Sequence, residues 1–551
     1  MDMKLSSCHA PQELSRRANL TVMLVITLVS FYLMSHWIWR PISPDERAYL
    51  GWALKLYKDG DYHTLDDKPI VKVPPFYVYS LAFFFKLFGP SIDVAQAVSL
   101  FFGCLGILIC YELGRRLWGW KVGLMASILL LVSCKGEYWR YSNRVLNEIP
   151  LGFFILCVIY FLCLYLRKPS WWIAVAVGCS MGLGLLTKEF AVLVLPAAGL
   201  TLVLAKERWP KKLLHLTVTL SIMFLIIGPW LIHVAEITGS PLGGVAQRGK
   251  GQAAELIKSA KAWGTRPIED WIKMLTLFHK PAWLYQVAII GSLLYGLWRL
   301  FRNKEFEMGV ILSPIIVFFG TFGFFVALPF DLRRFVPLLP LYSLLVAISM
   351  KRCWEFLIGK GRELGFKVPA PGKLAILFFT IFCLNSLKPG RTMKDFEPFS
   401  LLSSKERPFL FDETEAAMRC IPPANVILAN YPYVVYFYLQ GNYAVKPLLT
   451  TMEGKKSSHF FAKKDEGEGP TDEVGSVLYD FELRGKRVVM SREFLQRQIE
   501  ESGADYLIFF RTGHPKSAPK AVEEFLMEHP ERYVRICEDE RYAVYRIGKK
   551  Q

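Results

Sequence analysis

The chain contains 551 residues, of which 53% are hydrophobic, and it carries a formal net charge of +18. Its apolar residues stand in blocks of about 15 to 21, the length that an α-helix needs to cross a bilayer, which excludes an ordinary soluble fold. The Lys and Arg residues are spread among the short loops between these blocks, which argues against nucleic acid as a partner and in favour of membrane topology.

About eleven membrane-spanning helices are predicted from these blocks, so the expected fold class is mainly α. The predicted spans are 20–39, 94–111, 118–134, 150–166, 171–187, 190–205, 213–233, 283–298, 308–328, 335–350 and 374–387. The first block is too long for the core of a signal peptide, and no small-residue cleavage pattern follows it, which predicts an uncleaved anchor. Placing Arg16 and Arg17 in the cytosol puts every short basic loop on that same side, as the positive-inside rule requires.

Three regions follow from this topology. Residues 1–19 are predicted as a cytosolic N-terminus, 20–388 as a transmembrane domain with external loops 40–93 and 235–282, and 389–551 as an external soluble domain. The last region alternates short apolar runs with helix-like stretches, which is typical of a small α/β domain. We expect an integral protein of the cell inner (plasma) membrane whose C-terminal domain is external or periplasmic.

The eleven cysteines include no CxxC pair, and no zinc site is predicted. Most of them lie in apolar blocks, where a free thiol packs as a small apolar side chain. Cys420 and Cys537 lie in the C-terminal region. Whether they form a disulfide is open at this point, because the sequence does not give their separation in space.

The first external loop opens with a helix start. Ser43 and Glu46 have the spacing of a capping box, and Pro44 stands at the first helical position, which predicts a helix that runs to Gly60. Its apolar residues recur at helical spacing, as expected for a helix along the membrane surface. These residues are Leu50, Ala53, Leu54 and Tyr57. A second helix of this kind is predicted over 75–88.

Two carboxylates at this helix start allow two interpretations. In the structural interpretation, Glu46 completes the cap and Asp45 interacts with the positive end of the helix dipole. In the functional interpretation, Asp45 accepts a proton from an acceptor hydroxyl at the mouth of the membrane domain. Both can hold together, because an acid that is placed by a cap is also held in one orientation.

Four further motifs occur in chain order on the predicted external face: KVPPFY at 72–77, NRVLNEIP at 143–150, LLTK at 185–188 and RRFVP at 333–337. Together with the Asp-Glu pair, they resemble the landmarks of one family across roughly residues 20–350. This family contains the protein O-mannosyltransferases, the lipid A aminoarabinose transferases and their bacterial and archaeal relatives. They are C-type glycosyltransferases, so the resemblance implies a GT-C fold.

The resemblance also implies the site residues. Asp45 matches the family's catalytic carboxylate, Glu46 stands beside it, and Tyr49 matches a tyrosine near the sugar donor. The other substrate-binding candidates are Lys72, Arg144, Glu148, Lys188, Arg333 and Arg334. No cofactor and no metal ion are predicted.

Three positions depart from the family's pattern. Val73 rather than Lys directly precedes the two prolines, so that Lys72 is displaced by one position from the family's phosphate-binding lysine. Glu148 replaces the commoner Asp, and Glu189 replaces a Gly after Lys188.

The family's chemistry implies a reaction. A polyprenyl-phosphate-linked sugar would be the donor and a lipid, glycan or protein the acceptor, with inversion at the anomeric carbon and membrane lipids around the protein. Lys72, Arg144, Lys188 and Arg334 are predicted at one depth, where cations would stabilise the charge that grows on the leaving phosphate. Such residues also snorkel to lipid headgroups without any catalytic role. Glu148 is predicted to orient Arg144 or to position substrate.

Two functions of other classes stay open. A secondary transporter would also have many spans, but it predicts two similar halves and polar or broken helices at the membrane midplane, and the sequence displays neither. A non-catalytic membrane scaffold or receptor would make the charged cluster accidental. Transport of a labelled substrate without transfer would favour the transporter, and full function of an Asp45 variant would favour the scaffold.

Overall fold

The computed structural model describes most of the first 363 residues and shorter pieces of the remainder. The described ranges are 14–35, 44–64, 69–132, 137–244, 283–321, 332–363, 417–421, 426–429, 444–447, 477–483, 486–491, 496, 499–500, 502–510, 517–539 and 542–548. The chain divides into two compact units. The first unit consists of Met1–Ile38, Val71–Ser80 and Ser91–Leu402, and the second of Trp39–Ile70, Leu81–Pro90 and Ser403–Gln551.

The described part of the chain up to residue 363 is mainly helical. Its α-helices are α1 (Arg16–Ser35), α2 (Pro44–Asp59), α3 (Phe76–Phe88), α4 (Ile92–Trp118), α5 (Trp120–Val132), α6 (Glu137–Ser142), α7 (Glu148–Arg167), α8 (Trp171–Thr187), α9 (Leu195–Leu204), α10 (Trp209–Thr238), α11 (Trp283–Asn303), α12 (Phe306–Gly320) and α13 (Leu339–Glu363). Two 3-10 helices, Glu189–Val194 and Leu332–Leu338, precede α9 and α13 respectively.

The chain is an integral membrane protein. Among the described residues, four helical stretches have the length and apolar composition needed to cross a bilayer, and further apolar helices are shorter. The four stretches are Ile92–Trp118, Glu148–Arg167, Trp209–Thr238 and Arg333–Phe356. The predicted span at 374–387 lies outside the described residues, so the count of about eleven spans stays a prediction.

Two predicted spans are not continuous α-helices, and proline accounts for both corrections. The span predicted at 190–205 is a 3-10 helix followed by α9, whose first turn contains Pro196. Proline has no N–H for the preceding turn, but its fixed φ suits the start of a helix. The span predicted at 335–350 begins in the 3-10 helix that contains Pro337, and regular α-helix starts only at Leu339.

The two helices predicted in the first external loop are present. α2 begins at Pro44 and ends before Gly60, and α3 ends before Gly89. Both glycines have positive φ, +78° and +83°, a conformation that other residues adopt only with strain. Glycine therefore ends each helix where the sequence pattern predicts.

The buried residues of α2 are not confined to a single apolar stripe. Leu50, Ala53 and Leu54 are buried as their spacing predicts, but Trp52 and Lys55 on other sides of the helix are buried as well. Tyr57 is 38% exposed and lies edge-on to Phe85. Its position in the last turn lets an amphipathic ring keep its hydroxyl group in a polar environment.

The described part of the C-terminal region contains seven β-strands. They are β1 (Val426–Ala429), β2 (Ala444–Pro447), β3 (Val477–Leu483), β4 (Lys486–Ser491), β5 (Tyr506–Phe510), β6 (Tyr533–Asp539) and β7 (Tyr542–Ile547). Five of them form a mixed sheet of order β2-β1-β5-β7-β6, in which β1 pairs in parallel with β2 and β5. β3 and β4 form a separate antiparallel pair.

A helix packs against this mixed sheet. This helix, α14 (Ser517–Met527), contributes Val522, Phe525 and Leu526 to an apolar core that also contains Leu507 and Phe509 of β5. Burying these apolar side chains gives this part of the second unit a core of its own.

A disulfide joins Cys420 to Cys537, with the two Cα atoms 6.1 Å apart and a sequence separation of 117. The sequence left this pair open. The bond ties the short helical turn before Ile421 to β6, because Cys537 lies within that strand.

Replacing Cys420 by serine is expected to destabilise the second unit by about 2–4 kcal/mol, because the bond closes a long loop and thereby restricts the unfolded chain. Thermal unfolding of the purified protein, with and without reductant, would measure this change. The matched control is Cys353→Ser, since Cys353 is an exposed free thiol. Equal unfolding temperatures for the two variants would contradict the expectation.

Candidate functional site

A buried carboxylate accepts hydrogen bonds from two cations that come from distant parts of the chain. Glu148 Oε1 accepts from Lys188 Nζ at 2.8 Å and from Arg333 Nε at 2.7 Å. The Glu148 side chain is 1% exposed, whereas those of Lys188 and Arg333 are 17% and 23% exposed. We call these three residues the Glu148 cluster. A ligand can therefore reach the two cations of the Glu148 cluster more easily than the carboxylate.

Each member of the Glu148 cluster stands at the end of a helix or in a short helical turn. Glu148 is the first residue of α7, where a negative charge interacts favourably with the helix dipole. Lys188 directly follows α8, where a positive charge is favoured for the same reason. Arg333 belongs to the 3-10 helix that precedes α13. The local electrostatics of α7 and α8 thus favour the charges of Glu148 and Lys188.

An asparagine connects the two helix ends that carry Glu148 and Lys188. Asn147 is the N-cap residue of α7, and its Nδ2 donates to the backbone carbonyl oxygen of Thr187, the last residue of α8, at 3.0 Å. Each bonded residue directly precedes a member of the Glu148 cluster. This hydrogen bond therefore holds the two helix ends at the separation that brings Lys188 to Glu148.

Two glycines lie four residues from members of the Glu148 cluster, and both permit close packing. A Cβ atom on Gly152 of α7 would lie 3.0 Å from the Cα atom of Pro337, in the 3-10 helix that carries Arg333. A Cβ atom on Gly184 of α8 would lie 3.2 Å from the Cβ atom of Ala191. Glycine at 152 lets the backbone that holds Arg333 approach α7 closely.

Replacing Gly152 by alanine is expected to push the 3-10 helix away from α7 and to weaken the Arg333–Glu148 hydrogen bond. We expect turnover to fall about tenfold and unfolding free energy to fall by about 1–3 kcal/mol, because the methyl group meets backbone that cannot rotate away. The control is Gly199→Ala in α9, where a Cβ atom meets nothing within 4 Å. That change should slightly stabilise its helix. An unaltered Gly152→Ala protein would show that close packing is not needed.

Three acceptor oxygens near the Glu148 cluster are buried and have no hydrogen-bond partner in the structure. They are Oδ1 of Asn143, Oδ1 of Asn147 and Oε2 of Glu148, and these residues are 0%, 2% and 1% exposed. All three lie at residues 143–148, the segment that runs from the end of α6 to the first residue of α7 and that we call the α6–α7 connection. Buried acceptors normally have a hydrogen-bond partner, so these three oxygens are exceptions.

The charges of the Glu148 cluster do not cancel. One carboxylate (−1) faces two cations (+1 each), which leaves a formal charge of +1 on the three groups. Partial burial raises the strength of these interactions above that of the same charges in water. The cluster can hold a phosphate or another anion, and Arg is particularly suited to that because its planar fork matches phosphate oxygens.

The structure brings together only some of the residues that the sequence singles out. Glu148, Lys188 and Arg333 are in direct contact, whereas the Arg144 guanidinium lies 5.2 Å from the centre of the Tyr141 ring. The sequence predicts that Glu148 orients Arg144 or positions substrate, and the two side chains are not in contact in the structure. Arg144 stands in the turn before α7 rather than inside the helix, so the four-residue spacing does not place it beside Glu148.

The other candidates are found at three kinds of position. Lys72 of the first unit is half-buried in a bend before α3, and Arg334 is half-buried in the 3-10 helix beside Arg333. Asp45 of the second unit is exposed in the first turn of α2. Glu46 and Tyr49 of the same helix are buried, at 2% and 7% exposure.

Sequence reasoning missed Asn143, Asn147 and Gly152. All three lie in or just after the NRVLNEIP motif. Two asparagines that flank a basic residue, just before an acidic helix start, are the signal that could have indicated buried amides in this connection.

Comparisons with known proteins match parts of the chain. The family model described as dolichyl-phosphate-mannose-protein mannosyltransferase matches residues 72–233, a stretch that contains Glu148 and Lys188. An undecaprenyl phosphate-alpha-4-amino-4-deoxy-L-arabinose arabinosyl transferase of Erwinia tasmaniensis is 26% identical over 207 residues, which are 35% of this chain and 36% of that protein. Its counterpart in Pseudomonas fluorescens is 23% identical over 232 residues, 40% of this chain and 41% of that protein. The aligned stretches thus cover about two fifths of these curated relatives.

Solved structures share the fold over nearly the whole chain. ArnT from Cupriavidus metallidurans, bound to undecaprenyl phosphate, has a TM-score of 0.59 and 15% sequence identity, and the match covers 97% of this chain and 100% of that one. An Archaeoglobus fulgidus oligosaccharyltransferase tethered with an acceptor peptide has a TM-score of 0.54 and 14% identity, covering 97% of this chain and 74% of that one. The resemblance to C-type glycosyltransferases and the GT-C fold that it implies are confirmed.

Proposed function

We propose that this chain, with its C-type glycosyltransferase fold, transfers a sugar from a polyprenyl-phosphate-linked donor to a lipid, glycan or protein acceptor on the external face of the membrane. The observation that carries the proposal is the Glu148 cluster. A buried carboxylate holds Lys188 and Arg333 together and leaves an excess positive charge at helix ends. A secondary transporter would instead gather its polar groups in broken helices at the membrane midplane.

The cluster's chemistry fits the departure of a phosphate. When the bond between the anomeric carbon and the phosphate oxygen breaks, the electron pair stays on that oxygen and its negative charge grows. Lys188 and Arg333 stabilise this charge, because their positions are fixed before the reaction by Glu148. On the basis of the family motifs alone, we propose further phosphate contacts from Lys72, Arg144 and Arg334.

Asp45 is proposed as the general base for an alcohol acceptor. The acceptor oxygen attacks the anomeric carbon from the side opposite the phosphate, which inverts that carbon, while Asp45 takes the hydroxyl proton. If the acceptor is itself a phosphate, no such proton needs removing and Asp45 would orient groups instead. Glu46 and Tyr49 are proposed, from the family motifs, to contact the donor beside it.

The proposed location follows from the same reasoning. We place the chain in the inner membrane with about eleven spans, the N-terminus in the cytosol and the C-terminal region outside as a small α/β domain. The disulfide between Cys420 and Cys537 supports this, because such bonds persist in oxidising compartments and are rare in the cytosol.

The test of this function is chemical. Membrane lipids and glycans of a deletion strain would be compared by mass spectrometry with those of strains that carry the wild-type gene or its Asp45→Asn variant. We expect one glycosylated species to be lost on deletion and restored by the wild type alone. Restoration by both versions would remove the catalytic role of Asp45. Uptake of a labelled substrate with no glycosylated product would favour a transporter.

A further inference from the structure

The α6–α7 connection, residues 143–148, contains three buried acceptor oxygens that have no partner in the structure. Asn143 Nδ2 donates to the carbonyl oxygen of Trp139, and Asn147 Nδ2 donates to that of Thr187, both at 3.0 Å. In each amide the nitrogen must face the carbonyl oxygen, because only the nitrogen can donate, and the amide oxygen then points away from that carbonyl. The two Oδ1 atoms are therefore acceptors, and neither has a partner in the structure.

Glu148 adds a third acceptor to the same connection. Its Oε1 receives both cations, while its Oε2 is buried and has no partner in the structure. The two oxygens belong to one carboxylate, so Oε2 lies beside the atoms that are proposed to hold the donor phosphate. Burying an acceptor without a donor is unfavourable, and three such atoms within six residues indicate that a ligand or water supplies the donors.

We propose that the acceptor oxygens of Asn143, Asn147 and Glu148 form a recognition site for the transferred sugar, which donates hydrogen bonds from its hydroxyl or amino groups. This inference rests on the proposed function and adds the acceptor oxygens that recognise the sugar. A phosphate would be repelled here because it presents only acceptors, and a polyprenyl tail has no donors to offer. The sugar is joined directly to the phosphate, so a donor-bearing group beside the cations is the sugar itself.

Serine offers a way to remove one acceptor while keeping the local structure. Ser142, the residue before Asn143, is also 0% exposed, and its Oγ donates to the carbonyl oxygen of Tyr138, four residues earlier, at 2.8 Å. A serine at 143 can make the same kind of bond to Trp139 in place of the amide. Asn143→Ser therefore removes Oδ1 but retains a donor to the preceding helical turn.

The experiment compares lipids that differ only in the sugar. Binding of undecaprenyl phosphate, bare or carrying mannose, glucose or 4-amino-4-deoxyarabinose, would be measured with the purified full-length protein in nanodiscs. We expect the wild type to bind at least one sugar-bearing lipid more tightly than the bare lipid. Asn143→Ser should weaken that binding about tenfold, equal to about 1.4 kcal/mol, with little change for the bare lipid. Ser142→Ala is the matched control and should change neither.

The inference stands if Asn143→Ser weakens binding of the sugar-bearing lipid but not of the bare lipid. It fails if the two lipids are affected equally or not at all, in which case the oxygens hold water. A wild type that binds bare and sugar-bearing lipids equally well would also overturn it, while leaving the proposed use of a polyprenyl phosphate intact. A wild type that binds none of these lipids would refute the proposed donor and the sugar site together.

Discussion

Replacing Glu148 by alanine is expected to lower sugar transfer by about 10² to 10³ fold, because the change removes the carboxylate that positions two cations for the leaving phosphate. Lys188 and Arg333 would then remain partly buried without this counter-charge. We expect a loss of roughly 2 kcal/mol in unfolding free energy, less than for a fully buried pair because both cations retain some exposure. Turnover in a reconstituted transfer assay and thermal unfolding would measure both effects.

Two further variants separate positioning from general damage. Glu148→Asp keeps a carboxylate at the helix start and should recover part of the activity, whereas a role in packing alone would give no such recovery. Glu112→Ala is the matched control, since Glu112 on α4 also accepts hydrogen bonds from two cations, Arg115 and Arg116. It should leave transfer nearly unchanged. Equal losses for Glu112→Ala and Glu148→Ala would refute a special role for Glu148.

Replacing Asp45 by asparagine is expected to lower transfer to an alcohol acceptor by about 10² to 10⁴ fold, because the amide cannot take the hydroxyl proton. The protein should remain folded, since Asp45 is exposed and the amide still complements the start of α2. The assay would follow product formation from a polyprenyl-phosphate-linked sugar at saturating donor. The effect should fall mainly on the maximal rate rather than on donor affinity.

Asp59→Asn provides the comparison for Asp45. Asp59 is also exposed and stands at the opposite end of the same helix, so it undergoes the same chemical change without the proposed proton transfer. Its activity should match that of the wild type. Full turnover by Asp45→Asn would contradict the assignment and would favour either a phosphate acceptor or a different base.

The helix starts and ends in the first external loop could be predicted from the sequence because their causes are local. Pro44 and Gly60 bound α2 through their own backbone preferences. The breaks before α9 and α13 also have a local cause in Pro196 and Pro337, but a search for long apolar blocks passes over single prolines. Mean hydropathy depends on the composition of a whole stretch, whereas each of these breaks depends on a single proline that lacks a backbone N–H.

The contacts within the Glu148 cluster could not be predicted in the same way. The motifs placed Glu148, Lys188 and Arg333 on one predicted face, but 40 and 185 residues separate Glu148 from its two partners. Which cation meets which acid depends on the packing of Gly152 against Pro337 and on the bond from Asn147 to Thr187. These are tertiary contacts, and the sequence gives only the residues that can make them.

The wide spacing of these partners also affects how the protein is made. At 5 to 20 residues per second, a ribosome delivers Arg333 roughly 10 to 40 s after Glu148. During that interval, Lys188 is the only one of the two cationic partners that the nascent chain can offer to Glu148. A translation product that stops before Arg333 would insert its early helices and still lack half of the anion-binding charge, so full-length synthesis is a precondition for activity rather than for membrane insertion.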